Sequence, residues 1–270
     1  MNKKEEIIKL RKSGYSYNEI VKKIHVSKRD VIKFGRNVKF SREGYKRYHK
    51  KVKGIEKLIK KQSKYLTLPK VRVIGHLLFD GSLNVSKEGN YQLMYINASN
   101  KLVREFCKDV RKVYGLKPSI FNEQTNIDIY RAKCSSKMAY NNLIKYTPSY
   151  STSSELANVP EEIVNNKKIL IEFLRTFWDD EGSISKSGVL QGCLKSNSII
   201  DKLYFIHKNL GFDVRKYIDK SKEEPSYILR ILKTKENLNR FYEFKLFTHS
   251  IATRGYFKGM KKIDILRQFI

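Results

Sequence analysis

The sequence predicts an α+β fold made of two pseudo-symmetric repeats, each in the order α-β-β-α-β-β-α, behind a small all-α unit. Three observations predict it. One short pattern occurs twice: Val73-Ile74-Gly75-His76-Leu77-Leu78-Phe79-Asp80-Gly81 precedes Ser82, and Leu174-Arg175-Thr176-Phe177-Trp178-Asp179-Asp180-Glu181-Gly182 precedes Ser183. The closing acids, Asp80 and Glu181, stand 101 positions apart. The same succession of strand, turn and helix signals follows each copy, and an internal repeat of this length governs the whole fold. The first forty residues instead carry helix caps and helical apolar spacing. Two copies can pair about a pseudo-dyad and bring two carboxylates together, a geometry suited to holding a divalent metal against a phosphodiester.

Composition narrows the function. The chain has 270 residues and a formal net charge of +29, with 40% hydrophobic residues. That is enough apolar material for a substantial core. The charge points to a polyanionic partner, most commonly nucleic acid. No apolar run reaches the ~18 residues a membrane span needs, and no signal peptide is evident, so the chain reads as soluble and intracellular. Cys107, Cys134 and Cys193 are scattered, which argues against a disulfide framework or a zinc site. The charge is uneven: residues 1–70 hold 23 Lys or Arg against 6 Asp or Glu.

Along the chain, Ile7, Ile8 and Leu10 mark a first helix, stopped by Gly14. Ser16 and Glu19 form a capping box for a second, with Ile20, Val21 and Ile24 as its stripe. Ser27 caps a third, which turns Val31 and Ile32 inward and Lys28, Arg29 and Lys33 outward. Residues 41–67 read as a basic helical linker that tracks a phosphate backbone. After each motif come two strands joined by a hairpin turn, Ser82–Val85 with Tyr91–Asn97 and Ser183–Lys186 with Val189–Lys195. Helices Leu102–Tyr114 and Ile199–Leu210 follow, each closed by a glycine. Strands Ser119–Phe121 with Ile127–Ala132, and Val214–Ile218 with Tyr227–Lys233, come next. Helices Lys137–Lys145 and Glu236–Phe244 end the repeats. The expected divisions are 1–40, 41–67, 68–157 and 158–270.

These two motifs in this order resemble the LAGLIDADG homing endonuclease family over about residues 68–270. The second copy is the nearer, from Val159-Pro160-Glu161-Glu162-Ile163 through Phe173-Leu174-Arg175 to Asp180-Glu181-Gly182-Ser183-Ile184. Residues 1–40 separately resemble resolvase-type helix-turn-helix domains, whose last helix enters the major groove. The first resemblance implies two central helices packed side by side and two sheets forming a saddle over double-stranded DNA. It also implies Mg²⁺ or Mn²⁺ held by the last acid of each motif, here Asp80 and Glu181. Gly75 fits a close helix crossing. Thr176 stands where the family usually has glycine. His76 reads as a packing residue. The family also places a lysine near the cleavage centre, and Lys133 and Lys233 occupy comparable places.

The charge argument is independent of that resemblance. Carboxylates at two helix C-termini are disfavoured by the helix dipoles and by each other, and a hard divalent cation offsets both. Period-two alternation nominates Ser82, Asn84, Asp128, Tyr130, Ser183, Ser185, Arg215, Tyr217 and Arg230 for DNA contact. The expectation is a monomeric, intron-encoded, site-specific DNA endonuclease acting in the cytoplasm at the nucleoid. A cleavage-inactive DNA-binding regulator and a maturase acting on intron RNA are the alternatives.

Overall fold

The computed structural model describes residues 2–51, 64–86, 89–123, 128–221 and 223–270. The chain divides into two compact units, Met1–Lys61 and Gln62–Ile270. Linker residues 52–63, the turn residues Lys87 and Glu88, and the expected strand start at Ile127 lie outside the described residues.

In the first unit, α1 (Lys3–Lys12), α2 (Tyr17–Ile24) and α3 (Lys28–Gly35) form as the caps predict. Ser16 and Glu19 make the reciprocal capping box. Ile7, Ile20, Val26 and Val31 form the core. Ile32 is a correction: it is 39% exposed, because the next residue on a helix is rotated about 100° from its buried neighbour Val31. Residues 42–51 are helical, and their start is held against this unit. The Ser41 backbone N–H and hydroxyl both donate to the Lys12 carbonyl. Gly14 and Gly44 touch so closely that a Cβ on Gly14 would lie 2.1 Å from the Gly44 carbonyl oxygen. Lys51 reaches Glu19 at 2.7 Å.

The second unit has the predicted duplication. The first repeat runs α4 (Leu68–Leu78), β1 (Gly81–Val85), β2 (Tyr91–Asn97), α5 (Asn100–Tyr114), β3 (Ser119–Glu123), β4 (Ile129–Ser135) and α6 (Lys137–Leu143). After a short helix α7 (Glu161–Val164), the second runs α8 (Lys167–Glu181), β5 (Gly182–Ile184), β6 (Leu190–Leu194), α9 (Asn197–Asn209), β7 (Val214–Asp219), β8 (Ser226–Ile231) and α10 (Lys235–Glu243). A last helix, α11 (Lys262–Leu266), closes the second repeat, 101 positions after the start of α7. The two antiparallel sheets have the same strand order, β1-β2-β4-β3 and β5-β6-β8-β7.

The core lies between the sheets and the two motif helices. Val71, Val73, Ile74, Leu77 and Leu78 of α4 and Phe173, Leu174, Phe177 and Trp178 of α8 are all buried. Phe79, just past α4, packs its ring at a tilt 5.4 Å from Phe173 and edge-on 5.3 Å from Phe177. The helices meet at Gly75, where an added Cβ would lie 1.9 Å from Thr176 Oγ1 and 2.8 Å from Thr176 Cβ. The buried threonine hydroxyl, which faces Gly75, is satisfied by donating to the Phe173 carbonyl at 2.7 Å. On the flank, Arg72 of α4 forks onto Asp109 of α5 and crosses to Glu172 of α8 at 3.0 Å. In the second repeat, the Trp178 indole N–H donates to His207 Nε2 at 2.9 Å. His207 Nδ1–H then donates to the Leu203 carbonyl, and burial pushes this imidazole down to about 4.

Alanine is a better helix former than glycine, yet Gly75→Ala should lower stability by about 1–3 kcal/mol through overpacking. Thr176→Gly removes the obstructing atoms, so urea unfolding of the double variant should recover most of that loss. A Gly75→Ala protein as stable as the parent would contradict the close crossing.

Candidate metal and DNA site

The crossing delivers the two motif acids to one place. Asp80 lies two residues beyond the end of α4, and Glu181 is the last residue of α8. Both line a single cavity of about 400 Å³, together with Asn97, Ser183, Arg254 and Lys262. Burial, and then the Asp180 charge, pushes the Asp80 carboxyl up to about 8. Burial, Asp80 and Asp180 likewise hold Glu181 well above the usual carboxylate range. Each acid therefore senses the other or its neighbour across the dyad.

The side chains around these acids are not symmetric. Asn97 Nδ2 donates to Asp80 at 3.0 Å and to Asp180 at 3.3 Å, while its own oxygen accepts from the Ser99 N–H at 2.9 Å. Asp180 also accepts from the Tyr95 hydroxyl at 2.7 Å and from His76 Nδ1 at 2.8 Å. Burial, the largest single influence, depresses His76, but Asp180, with Asp179 and Asp109, together outweigh it and raise the imidazole above its ordinary value. Asp179 accepts from the Thr248 N–H at 2.9 Å, the Ser250 hydroxyl at 2.6 Å and the Thr248 hydroxyl. The dyad counterparts of Asp179 and Asp180 are Leu78 and Phe79, so this polar network exists on one side only.

The lysine in this cavity is Lys262. Its ammonium is buried and donates to the Asp179 carbonyl at 2.8 Å. Burial lowers it, and the charges of Asp179, Asp180, Asp80 and Glu181 act against that fall. Lys133 and Lys233 do not line this cavity. Lys133 sits within β4 opposite Met94 and Ser119. Lys233 follows β8, with its ammonium 5.2 Å from the Phe269 ring centre. Nor are these two lysines dyad mates. Ser82 pairs Met94, which pairs Lys133; Ser183 pairs Gln191, which pairs Arg230. The mate of Lys133 is therefore Arg230.

Register also settles the sheet faces. Ala132 and its partner Tyr95 are fully buried, so Tyr130, two residues away on β4, lies on the helix side. That corrects the expectation for Tyr130. Arg131 and Lys133 lie on the opposite face, with Ser82 and Asn84. The isoleucines at 127 and 129 suggested the wrong phase, and Ala132 sets the true one. Asp128 is exposed ahead of β4. In the second sheet, Leu190, Ile231 and Val214 form the buried row. Ser183, Gln191, Arg230, Arg215 and Tyr217 share the other face. The Arg230 guanidinium sits 4.6 Å from the Tyr217 ring centre. Ser185 lies in the β5–β6 turn and accepts from the Val189 N–H. Lys28, Arg29 and Lys33 are exposed on α3 of the first unit.

Asp80 and Glu181 suit a hard cation, since both offer carboxylate oxygens that burial and repulsion keep poorly ionised alone. Among the described residues, no group of three or more His, Cys, Asp or Glu is disposed to hold a metal ion. The remaining coordination would fall to phosphate oxygens and water, as it commonly does for Mg²⁺.

No family model matches the chain, and no curated protein does. Solved structures do. The homing endonuclease I-DmoI in complex with DNA and Mn gives a TM-score of 0.50 at 18% identity, covering 67% of this chain and 98% of that one. An I-DmoI variant with its target DNA nicked in the coding strand and Mn present gives 0.51 at 17%, covering 68% and 99%. Mesophilic I-DmoI variants give 0.50 at 17%, covering 66% and 94%. The likeness is one of fold. This chain shares the architecture of I-DmoI, about two thirds of it matching nearly the whole of that protein.

The raised Asp80 carboxyl gives a pH signature. Its folded value near 8 exceeds the unfolded value near 4, so its contribution to stability is complete below about pH 4 and is lost as pH rises through 8. Asp80→Asn lacks that loss. In EDTA the melting temperature of Asp80→Asn should therefore gain on the parent from about pH 4 to 8, then level off. A pH-independent difference would show that Asp80 titrates normally.

Proposed function

We propose that this chain is a site-specific endonuclease that hydrolyses both strands of double-stranded DNA with Mg²⁺ or Mn²⁺. The observation that supports this best is the meeting of Asp80 and Glu181, from dyad-related motifs, in one cavity flanked by two sheets. A bound metal would supply charge neutralisation at the scissile phosphates and activation of water. The residues of the chain do the rest. Asp80 and Glu181 would hold the metal. Asn97 fixes the rotamer of Asp80 through its 3.0 Å hydrogen bond. Lys262 lines the cavity with both acids and would offer a hydrogen-bond donor to the phosphate, the part expected of Lys133 or Lys233. Those two lysines do not line the cavity.

Sequence reading falls to the sheet faces turned from the helices: Ser82, Asn84, Arg131 and Lys133 in one, Ser183, Arg215, Tyr217 and Arg230 in the other. Arginine on such a strand can fork onto guanine. The first unit adds a helix-turn-helix contact through Lys28, Arg29 and Lys33 of α3. The net charge of +29 implies steep salt dependence. With both repeats in one chain, a monomer completes the site. The protein would act on the nucleoid and be carried by an intron.

The test is cleavage of a randomised duplex library in supercoiled plasmids, with Mg²⁺ or Mn²⁺. Linear product is expected, and Asp80→Asn and Glu181→Gln should each cut at least ~10²-fold more slowly. Both should still bind the selected site in Ca²⁺. A wild-type protein that binds duplex but leaves every library member intact would be a regulator. Excision of an intron from precursor RNA would instead mark a maturase.

A further inference from the structure

The second repeat ends in a hairpin where the first has none. Thr147 and Ser149 mirror Thr248 and Ser250, again 101 positions apart. The first repeat then runs through residues 151–160 to α7. The second instead forms a hairpin: Ile251 bridges Lys261, the Ala252 N–H donates to the Met260 carbonyl, and the Gly259 N–H donates back to the Ala252 carbonyl. Gly255 and Gly259 supply the positive φ angles, +73° and +86°, that this turn needs.

The hairpin has a fixed root and an open tip. At the root, Thr248 and Ser250 grip the Asp179 carboxylate, and Lys262 donates its backbone N–H to Ser250 and its ammonium to Asp179. Phe257 is buried and anchors the turn. At the tip, Tyr256 is 73% exposed, with the Lys186 ammonium 4.6 Å from its ring centre. Arg254 and Lys258 are exposed. Residues 251–261 hold Arg254, Lys258 and Lys261 and no acid. Among the described residues, Arg254 has no ion pair, yet it lines the same cavity as Asp80 and Glu181.

We propose that this hairpin is a duplex-DNA contact serving one strand only. Arg254 pairs with a phosphate beside one scissile position, and Tyr256 packs along the adjoining sugar–phosphate chain. An exposed cation and aromatic on a rigid root suit that task, because a phosphate gains a bidentate partner at little ordering cost. The other strand meets the first repeat, which offers no equivalent, so the two strands are cut at different rates. This inference rests on the endonuclease reading and adds a positioning residue to it.

Full-length Arg254→Ala, measured by anisotropy on a labelled duplex of about 30 base pairs in Ca²⁺, should bind about five- to tenfold more weakly. Its slope of log affinity against log salt should fall by about one. Arg111→Ala on α5 should leave both unchanged, and both variants should melt with the parent. On a cleaved plasmid target, Arg254→Ala should slow one strand more than the other and accumulate nicked circles. If Arg254→Ala matches the parent in slope and in both strand rates while the parent cuts, this inference fails and the endonuclease reading stands. Equal slowing of both strands overturns the one-strand assignment. A parent protein that neither binds nor cuts duplex removes both readings.

Discussion

The separation of the two candidate metal ligands depends on how closely two helices approach, and one missing side chain sets that approach. Gly75 lets the α4 backbone reach Thr176 of α8, and no residue with a Cβ fits there without displacement. Asp80 and Glu181 follow at the ends of these helices, where aligned peptide dipoles already carry negative charge. The fold thus spends packing energy to hold acids where they are least comfortable. Their raised proton affinities are the result, and a divalent cation relieves them.

The surrounding charges explain why the arrangement is stable without symmetry. His76 and Lys262 are both buried among acids, and each is fixed by a hydrogen bond, to the Asp180 carboxylate or to the Asp179 carbonyl. A buried charge without a partner would be strongly destabilising, whereas a hydrogen-bonded cluster is tolerable. Donors come from the first repeat through His76, Tyr95 and Asn97, and from the C-terminal segment through Thr248, Ser250 and Lys262. The second motif helix is consequently tied to everything around it.

Much of this was legible in the sequence because it is local. The caps at Ser16 and Ser27, the glycines after α5 and α9, and the repeated acid–glycine endings all report short-range chemistry. The acids could be picked out because the duplication gave them a common frame. Lys262 could not, since a lysine at the start of a terminal helix looks like any exposed charge until the chain folds back onto Asp179. The pairing of His76 with Asp180 spans 104 positions and leaves no periodic trace. The phase of β4 was misleading because Ile129 is apolar on the outer face, whereas the small Ala132 is the buried residue. Lys133 and Lys233 looked equivalent by distance from their motifs, but a shorter β5–β6 hairpin shifts the ladder and matches Lys133 with Arg230.

The one-sided acids at 179 and 180 carry a consequence for ancestry. A fold of this kind invites descent from a self-associating half, yet two copies of the second half would face each other with Asp180 opposite Phe177 where His76 now stands. Two copies of the first half would lose the carboxylate that His76 holds. In either homodimer the His76–Asp180 hydrogen bond would be lost, so the two halves are no longer interchangeable.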